Sequence, residues 1–249
     1  PGRRSGTVQR RPGRSWGPPR VNRKALLVVA VDGPSGVGKS TVARRLATAL
    51  GVPYLDTGAM YRSLALKALR SGIDPGAREA CEELAERTDI GLREAEDGSF
   101  QVLLDGEPVG DSIRTPEVSS AASAIAEHPG VRRRMVHLQR ATAERHGGVL
   151  EGRDIGTRVF PETPFKFFLD ARPEIRAGRR YRQLRDQGKD VARTEVERDL
   201  EARDRRDRER SDSPLTRDDS YCFVDTSDAP ADEVVERMLE TIRATSSSA

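Results

Sequence analysis

The stretch VDGPSGVGKST, residues 31–41, decides the fold. Its centre, GPSGVGKS at 33–40, satisfies GxxxxGK[ST] at every fixed position. The apolar, valine-rich run Ala25–Asp32 before it reads as a buried strand that feeds the loop. Lys39–Leu50 after it reads as a helix, with Val42, Leu46 and Leu50 on one stripe. Gly33, Gly36 and Gly38 let the backbone curl so that successive N–H groups point inward, and the helix N-terminus adds its positive pole. Such a loop cradles phosphates. Lys39 is placed to reach the β and γ oxygens of a nucleoside triphosphate, and Ser40 to offer its hydroxyl to Mg²⁺. The triphosphate contacts are therefore read onto Gly33, Pro34, Ser35, Gly36, Val37, Gly38, Lys39, Ser40 and Thr41, with Ser40 at the metal. This loop implies a triphosphate and leaves the reaction open.

Outward from the loop, short apolar runs alternate with helical stretches. Helices are expected over Gly58–Arg70, over Pro75–Thr88 behind the Asp74-Pro75 start signal, over Pro116–Glu127 and over Gly130–Arg145. Val149–Glu151 and Phe165–Asp170 read as short strands, Pro173–Gln187 and Thr194–Arg210 as long arginine-rich helices. Tyr221–Asp225 reads as a last strand and Ala231–Arg243 as an amphipathic closing helix. Strand–helix alternation of this kind predicts an α/β fold, a parallel sheet with helices on both faces. Ile90–Val109 breaks the pattern. Its alternating segments are separated by Asp-Gly pairs at 97–98 and 105–106, a hairpin signal, so a small antiparallel insert is expected at about 89–112.

Composition excludes several classes. Lysine plus arginine (43) nearly balances aspartate plus glutamate (40), which argues against a dedicated nucleic-acid coat. Aromatics are only 4% of residues, too few for the stacking platforms of a single-strand binder. Cys81 and Cys222 are far apart and form no metal or disulfide pattern, which fits a reducing, cytoplasmic setting. His128, His137 and His146 are spaced so that helical neighbours face opposite sides, and no shared metal site follows. No apolar run reaches the roughly 20 residues of a membrane helix. Residues 1–24, rich in Arg, Gly and Pro and without apolar periodicity, are expected to be a disordered basic tail.

The triphosphate reader could serve a GTPase, a transporter ATPase or a kinase. The only asparagine is Asn22, so the Asn-Lys-x-Asp guanine reader is missing, and there is no LSGGQ. A kinase of small acceptors needs an acceptor pocket and a mobile arginine-rich lid that excludes competing water. EIRAGRRYRQLRDQG at 174–188 and ARDRRDRER at 202–210 match that demand. The alternative for these clusters is a solvated helix laced with salt bridges. A kinase acting on AMP, UMP or shikimate, a nucleic-acid-stimulated NTPase and a non-catalytic scaffold are the competing readings. Intact Lys39 and Ser40 count against the scaffold.

Beyond the loop, YLDTGAMYR (54–62), IRTPEVSSAAS (113–123), EGRDIGTRVFP (151–161), FKFFLDA (165–171) and ARDRRDRERSDSPL (202–215) accompany VDGPSGVGKST. With these segments the chain resembles the bacterial cytidylate kinases, P-loop nucleoside monophosphate kinases, over nearly all of its length after the tail. The resemblance implies a core of 25–75, 147–172 and 211–249, a monophosphate-binding region at 76–146, and a lid with its following helix at 173–210. It implies phosphoryl transfer from MgATP to CMP or dCMP; nothing in the sequence demands more than a monomer, and composition calls for no nucleic-acid or membrane partner. Cytosine would be read by Ser123, Arg132 and Asp154, with Thr57 where the family usually has serine. The sugar would meet Arg203 and Asp207, and the CMP phosphate Arg62, Arg153 and Arg210. Lys39, Arg153 and Arg210 would carry catalysis, and Arg176, Arg179 and Arg180 would close over ATP. Asp32 and Asp170 end strands and read either as facing the Mg²⁺ shell through water or as plain caps.

Overall fold

The computed structural model describes residues 26–94 and 100–247. The expected tail at 1–24 and the Asp97-Gly98 turn lie outside the described residues. In chain order the elements are β1 (Val28–Asp32), α1 (Lys39–Leu50), β2 (Tyr54–Asp56), α2 (Thr57–Arg70), α3 (Arg78–Arg87), β3 (Ile90–Glu94), β4 (Phe100–Leu104), β5 (Glu107–Pro108), α4 (Pro116–Ile125), α5 (Pro129–His146), β6 (Gly148–Gly152), β7 (Lys166–Asp170), α6 (Pro173–Asp186), α7 (Arg193–Glu209), β8 (Cys222–Asp225) and α8 (Ala231–Ser247). A 3-10 turn covers Gly110–Arg114 and a π-helical turn covers Ile155–Val159.

The order β2-β6-β1-β7-β8 makes one sheet, parallel throughout. β1 lies at its centre, with Val29, Ala30 and Val31 fully buried. Side-chain alternation sends Val29 and Val31 to the face covered by α1 and α8, where they meet Leu46 and Met238. Ala30 points to the opposite face, with Leu150, Ala143 of α5 and Ile155. Each fully buried leucine here contributes roughly 2 kcal/mol of transfer free energy. Helices on both faces and the parallel sheet are the α/β architecture the alternation predicts.

Two smaller cores sit beside the sheet. Met60 and Leu64 of α2, Leu84 of α3, Ile125 of α4 and Met135 of α5 pack with Ile90 and Val102 of the antiparallel sheet β3-β4-β5. Ala177 and Leu184 of α6 pack with Val196 and Leu200 of α7. Asp105 (φ 51°) and Gly106 (φ 85°) form the tight turn that pairs Leu104 with Glu107, as the Asp-Gly signal requires.

One local expectation needs correction, and two elements were not expected. The third helix begins at Arg78 rather than Pro75, because the Asp74 carboxylate accepts the Gly76 N–H at 2.9 Å and holds a turn there. β2 went unread because three residues are too few to show a period. The turn at 155–159 carries no helical pattern in sequence and follows from a capping arrangement described below.

Candidate active site

The loops that leave the carboxyl ends of β1, β2 and β6 open into a cavity of about 710 Å³. It brings together the loop residues Ser35 to Thr41 with Thr57, Arg62, Ser123, Arg132, Arg153, Asp154, Arg179, Arg180, Arg203, Asp207 and Arg210. Gly33, Pro34 and Arg176 do not line it. Gly33 is needed at the root of the loop: with φ 146°, a Cβ there would come within 2.1 Å of the Leu169 carbonyl.

At the loop, Lys39 is buried and donates to the Pro34 carbonyl at 2.6 Å. Burial, then the neighbouring Arg153 guanidinium, pushes its ammonium down to about 7, while Glu151, Asp207 and Asp204 oppose the shift. Arg153 donates to Ser35 Oγ and to Asp207 Oδ2, both at 2.8 Å, and so ties β6 to the loop and to α7. Arg179 bonds the Val37 carbonyl at 3.2 Å and the Thr226 carbonyl at 2.6 Å. Beyond Thr226, the small side chains of Ala229, Pro230, Ala231 and Val234 line the same end of the cavity.

Glu151 is the residue that sequence reasoning missed. Its Oε1 accepts from Ser40 Oγ and from the Tyr54 hydroxyl, both at 2.7 Å. Its Oε2 is buried with no hydrogen-bond partner among the described residues. Burial, then nearby Asp56, raises its pKa, and Lys39 counters. An unpartnered carboxylate oxygen beside the loop serine, within electrostatic reach of Lys39, makes a set of hard oxygen donors. That set fits Mg²⁺ held chiefly by substrate phosphates. Asp32 does not join it. Both its oxygens are engaged elsewhere, by Ile155 N, Gly156 N and the Tyr221 hydroxyl. Asp170 accepts from Ala171 N and closes a local turn.

At the far end, Arg132 and Asp154 form a buried ion pair. Arg132 also lies 5.8 Å from the Tyr61 ring centroid. Arg210 stands 3.7 Å from both Asp154 and Asp207. Arg62 is paired with Asp56 at 2.7 Å. Several buried polar atoms here have no hydrogen-bond partner among the described residues: Ser123 Oγ, Arg132 Nε, Arg203 Nε and Arg210 Nη2. Unmade hydrogen bonds of buried groups cost about 1–3 kcal/mol each, so this end of the cavity holds polar groups at a cost to stability. Like charge is concentrated too. Burial first, then Arg153, pushes Arg203 down to about 10. Burial, then Arg62 and Arg114, lowers Arg180. Burial works against Asp207, but Arg153 and Arg210 hold it below the usual carboxylate range. The arginines outnumber the acids that face them, as expected of a polyanion site. Arg114 is a second lining residue not singled out from sequence.

The lid arginines separate. Arg180 lines the cavity, and among the described residues its hydrogen bond goes to Gln183 of its own helix. Arg176 is buried in an ion pair with Asp204 of α7 and donates to the Ser35 and Ala171 carbonyls. It clasps α6 to α7 and to the underside of the loop, so the reading of Arg176 as a residue closing over the triphosphate does not match its placement. Helical spacing alone could not separate it from Arg179 and Arg180, because its partner lies 28 positions away.

A family model described as cytidylate kinase matches residues 29–244. A cytidylate kinase of Caldanaerobacter subterraneus subsp. tengcongensis is 46% identical over 215 residues, which is 86% of this chain and 94% of that protein. A cytidylate kinase of Solibacter usitatus is 45% identical over 223 residues, 89% of this chain and 94% of that protein. A cytidylate kinase of Klebsiella pneumoniae is 42% identical over 216 residues, covering 87% and 95%. With the phosphate loop, the arginine-lined cavity and the packed pair α6–α7 in place, these matches establish that the chain belongs to the cytidylate kinase family.

Proposed function

We propose that this protein transfers the γ-phosphoryl group of MgATP to CMP or dCMP. The observation that carries the reading is the cavity that runs from Lys39 to Ser123, Arg132 and Asp154 and is lined between them by Arg62, Arg153, Arg203 and Arg210. A cytosine seated there donates its exocyclic amine to Asp154 and accepts at its ring carbonyl and N3 from Arg132 and Ser123. Uracil would turn a carbonyl toward Asp154, carboxylate against acceptor, and is disfavoured. Asp207 and Arg203 are within the same cavity for the sugar, and Arg62, Arg153 and Arg210 for the acceptor phosphate.

An oxygen of the acceptor phosphate is already ionised at neutral pH. It bonds to Pγ while the bond from Pγ to the bridging oxygen of ADP breaks, and no strong general base is needed. The chain supplies alignment and positive charge: Lys39 on the triphosphate, Arg153 and Arg210 on the oxygens that gain charge, and α6–α7 above to exclude water. Ser40 Oγ and Glu151 Oε2 would hold Mg²⁺, whose charge neutralises the β- and γ-phosphates. Its substrates are soluble nucleotides of the cytoplasm, and the chain is read as a monomer. No helix among the described residues is long and apolar enough to cross a membrane.

Following the ³¹P NMR spectrum of MgATP mixed with CMP tests this. ADP and CDP appearing together is expected. ADP with inorganic phosphate and no CDP would overturn it in favour of a hydrolase.

A further inference from the structure

Two buried carboxylates take no part in the phosphoryl transfer: Asp204, which is paired with Arg176, and Asp32. Asp32 is the last residue of β1 and immediately precedes the phosphate loop. The sheet register sets it opposite Gly152, two residues before Asp154. Its Oδ1 accepts the Ile155 N–H at 2.9 Å, and its Oδ2 accepts the Gly156 N–H at 2.9 Å and the Tyr221 hydroxyl at 2.8 Å.

Those amides begin the π-helical turn Ile155–Val159, and turn starts leave such donors without partners in their own backbone. The residue in the capping position is Asp154, and an aspartate there ordinarily turns its carboxylate back onto the first N–H groups. Asp154 makes no such bond. Its carboxylate faces Arg132 and Arg210 instead. The strand beneath supplies the cap, and Asp154 is released for the cavity. Gly156 belongs to the same device: a Cβ at this position would lie 2.6 Å from the Tyr221 hydroxyl. Asp32, Asp154 and Gly156 of the two motifs thus meet at one joint.

We propose that Asp32 is a positioning residue for acceptor-base discrimination: by capping the 155–159 turn from the neighbouring strand, it leaves the Asp154 carboxylate free to read the base. The inference rests on the cytosine reading of Asp154 given above. Burial pushes the Asp32 carboxyl up to about 6, while the two amide bonds hold it down, so at neutral pH it is ionised and accepts at both oxygens.

Asp32→Asn tests it, because the amide turns one acceptor into a donor facing an N–H or the tyrosine hydroxyl. With one charge-assisted bond lost, KM for CMP should rise, and the CMP-over-UMP ratio of kcat/KM should fall, each by about tenfold or more. KM for MgATP should change by less than about twofold, since no loop contact is altered. Tyr221→Phe removes one donor and keeps both amide bonds, and should shift the same two quantities by a smaller factor. A fall in kcat shared by CMP and UMP with the ratio intact would overturn the proposal and leave Asp32 a structural residue. A rise in KM for MgATP equal to that for CMP would overturn it in favour of a loop-shaping role. Should Asp32→Asn not fold, an unchanged ratio in Tyr221→Phe overturns it alone. A wild type without CMP preference would strike the cytosine reading itself, and this inference with it.

Discussion

Ser40 and Glu151 are 111 positions apart in sequence, and the serine hydroxyl donates to the glutamate Oε1 at 2.7 Å. Parallel pairing of β1 with β6 brings them together, and the Tyr54 hydroxyl fixes the same oxygen from β2. The free Oε2 is left as the one carboxylate oxygen beside the loop serine without a partner among the described residues.

Glu151→Gln keeps the shape and removes the charge. The Mg²⁺ concentration for half-maximal rate should rise, and kcat should fall by roughly 10- to 100-fold, as for changes around a metal site. CMP affinity measured without ATP should stay within twofold. An unchanged Mg²⁺ dependence would place Glu151 outside the metal's surroundings.

Lys39→Ala removes the one lysine beside the loop phosphates. The transfer rate should drop by about 10²–10³-fold, the usual cost of losing one preorganised donor to developing charge. Circular dichroism and thermal unfolding should show a retained fold, because among the described residues the Lys39 side chain bonds only the Pro34 carbonyl. Wild-type turnover in this variant would refute its assigned role.

Asp154 bears on both binding and stability, since Arg132 is only 2% exposed and pairs with it. Asp154→Ala leaves that guanidinium buried without its anion and should cost about 3–5 kcal/mol of stability. Asp154→Asn is the cleaner probe of recognition. KM for CMP should rise at least tenfold while KM for MgATP holds, a contrast that parallel titrations of the two nucleotides would check. Equal losses would make Asp154 structural.

Asp32 predicts a pH dependence with a definite sign. Its carboxyl is raised from 3.8 to about 6 in the folded chain, so the folded state holds this proton more tightly than the unfolded. Its contribution to stability is full below about pH 4 and lost as pH rises through 6. Asp32→Asn has no such proton. Between pH 4 and pH 7 the stability gap should shift toward the variant by up to about 3 kcal/mol, read from urea denaturation at each pH. A gap independent of pH would contradict this.

The phosphate loop was legible because its information is local: glycines that permit the curl, then a lysine and a serine at fixed offsets. The parallel sheet was legible from alternation, and the Asp105-Gly106 turn from backbone chemistry. Asp154, Arg132 and Ser123 carry no pattern of their own, and only the resemblance pointed to them. Glu151 and Asp32 show why. Each ends or lies within an apolar strand, and what it faces is set by register with strands far away in sequence. That register put Glu151 at Ser40 and turned Asp32 toward Ile155 and Gly156. Arg176 likewise went to Asp204 rather than to the cavity, a choice that arginines one helical turn apart do not reveal.

The most direct test of the central claim is the set of kcat/KM values with MgATP and CMP, dCMP, UMP, AMP, GMP or shikimate as acceptor. CMP and dCMP should exceed every other acceptor by at least tenfold. A higher value for UMP, AMP, GMP or shikimate would contradict the assignment of Arg132 and Asp154 as cytosine readers, and no transfer to any acceptor would contradict the kinase reading altogether.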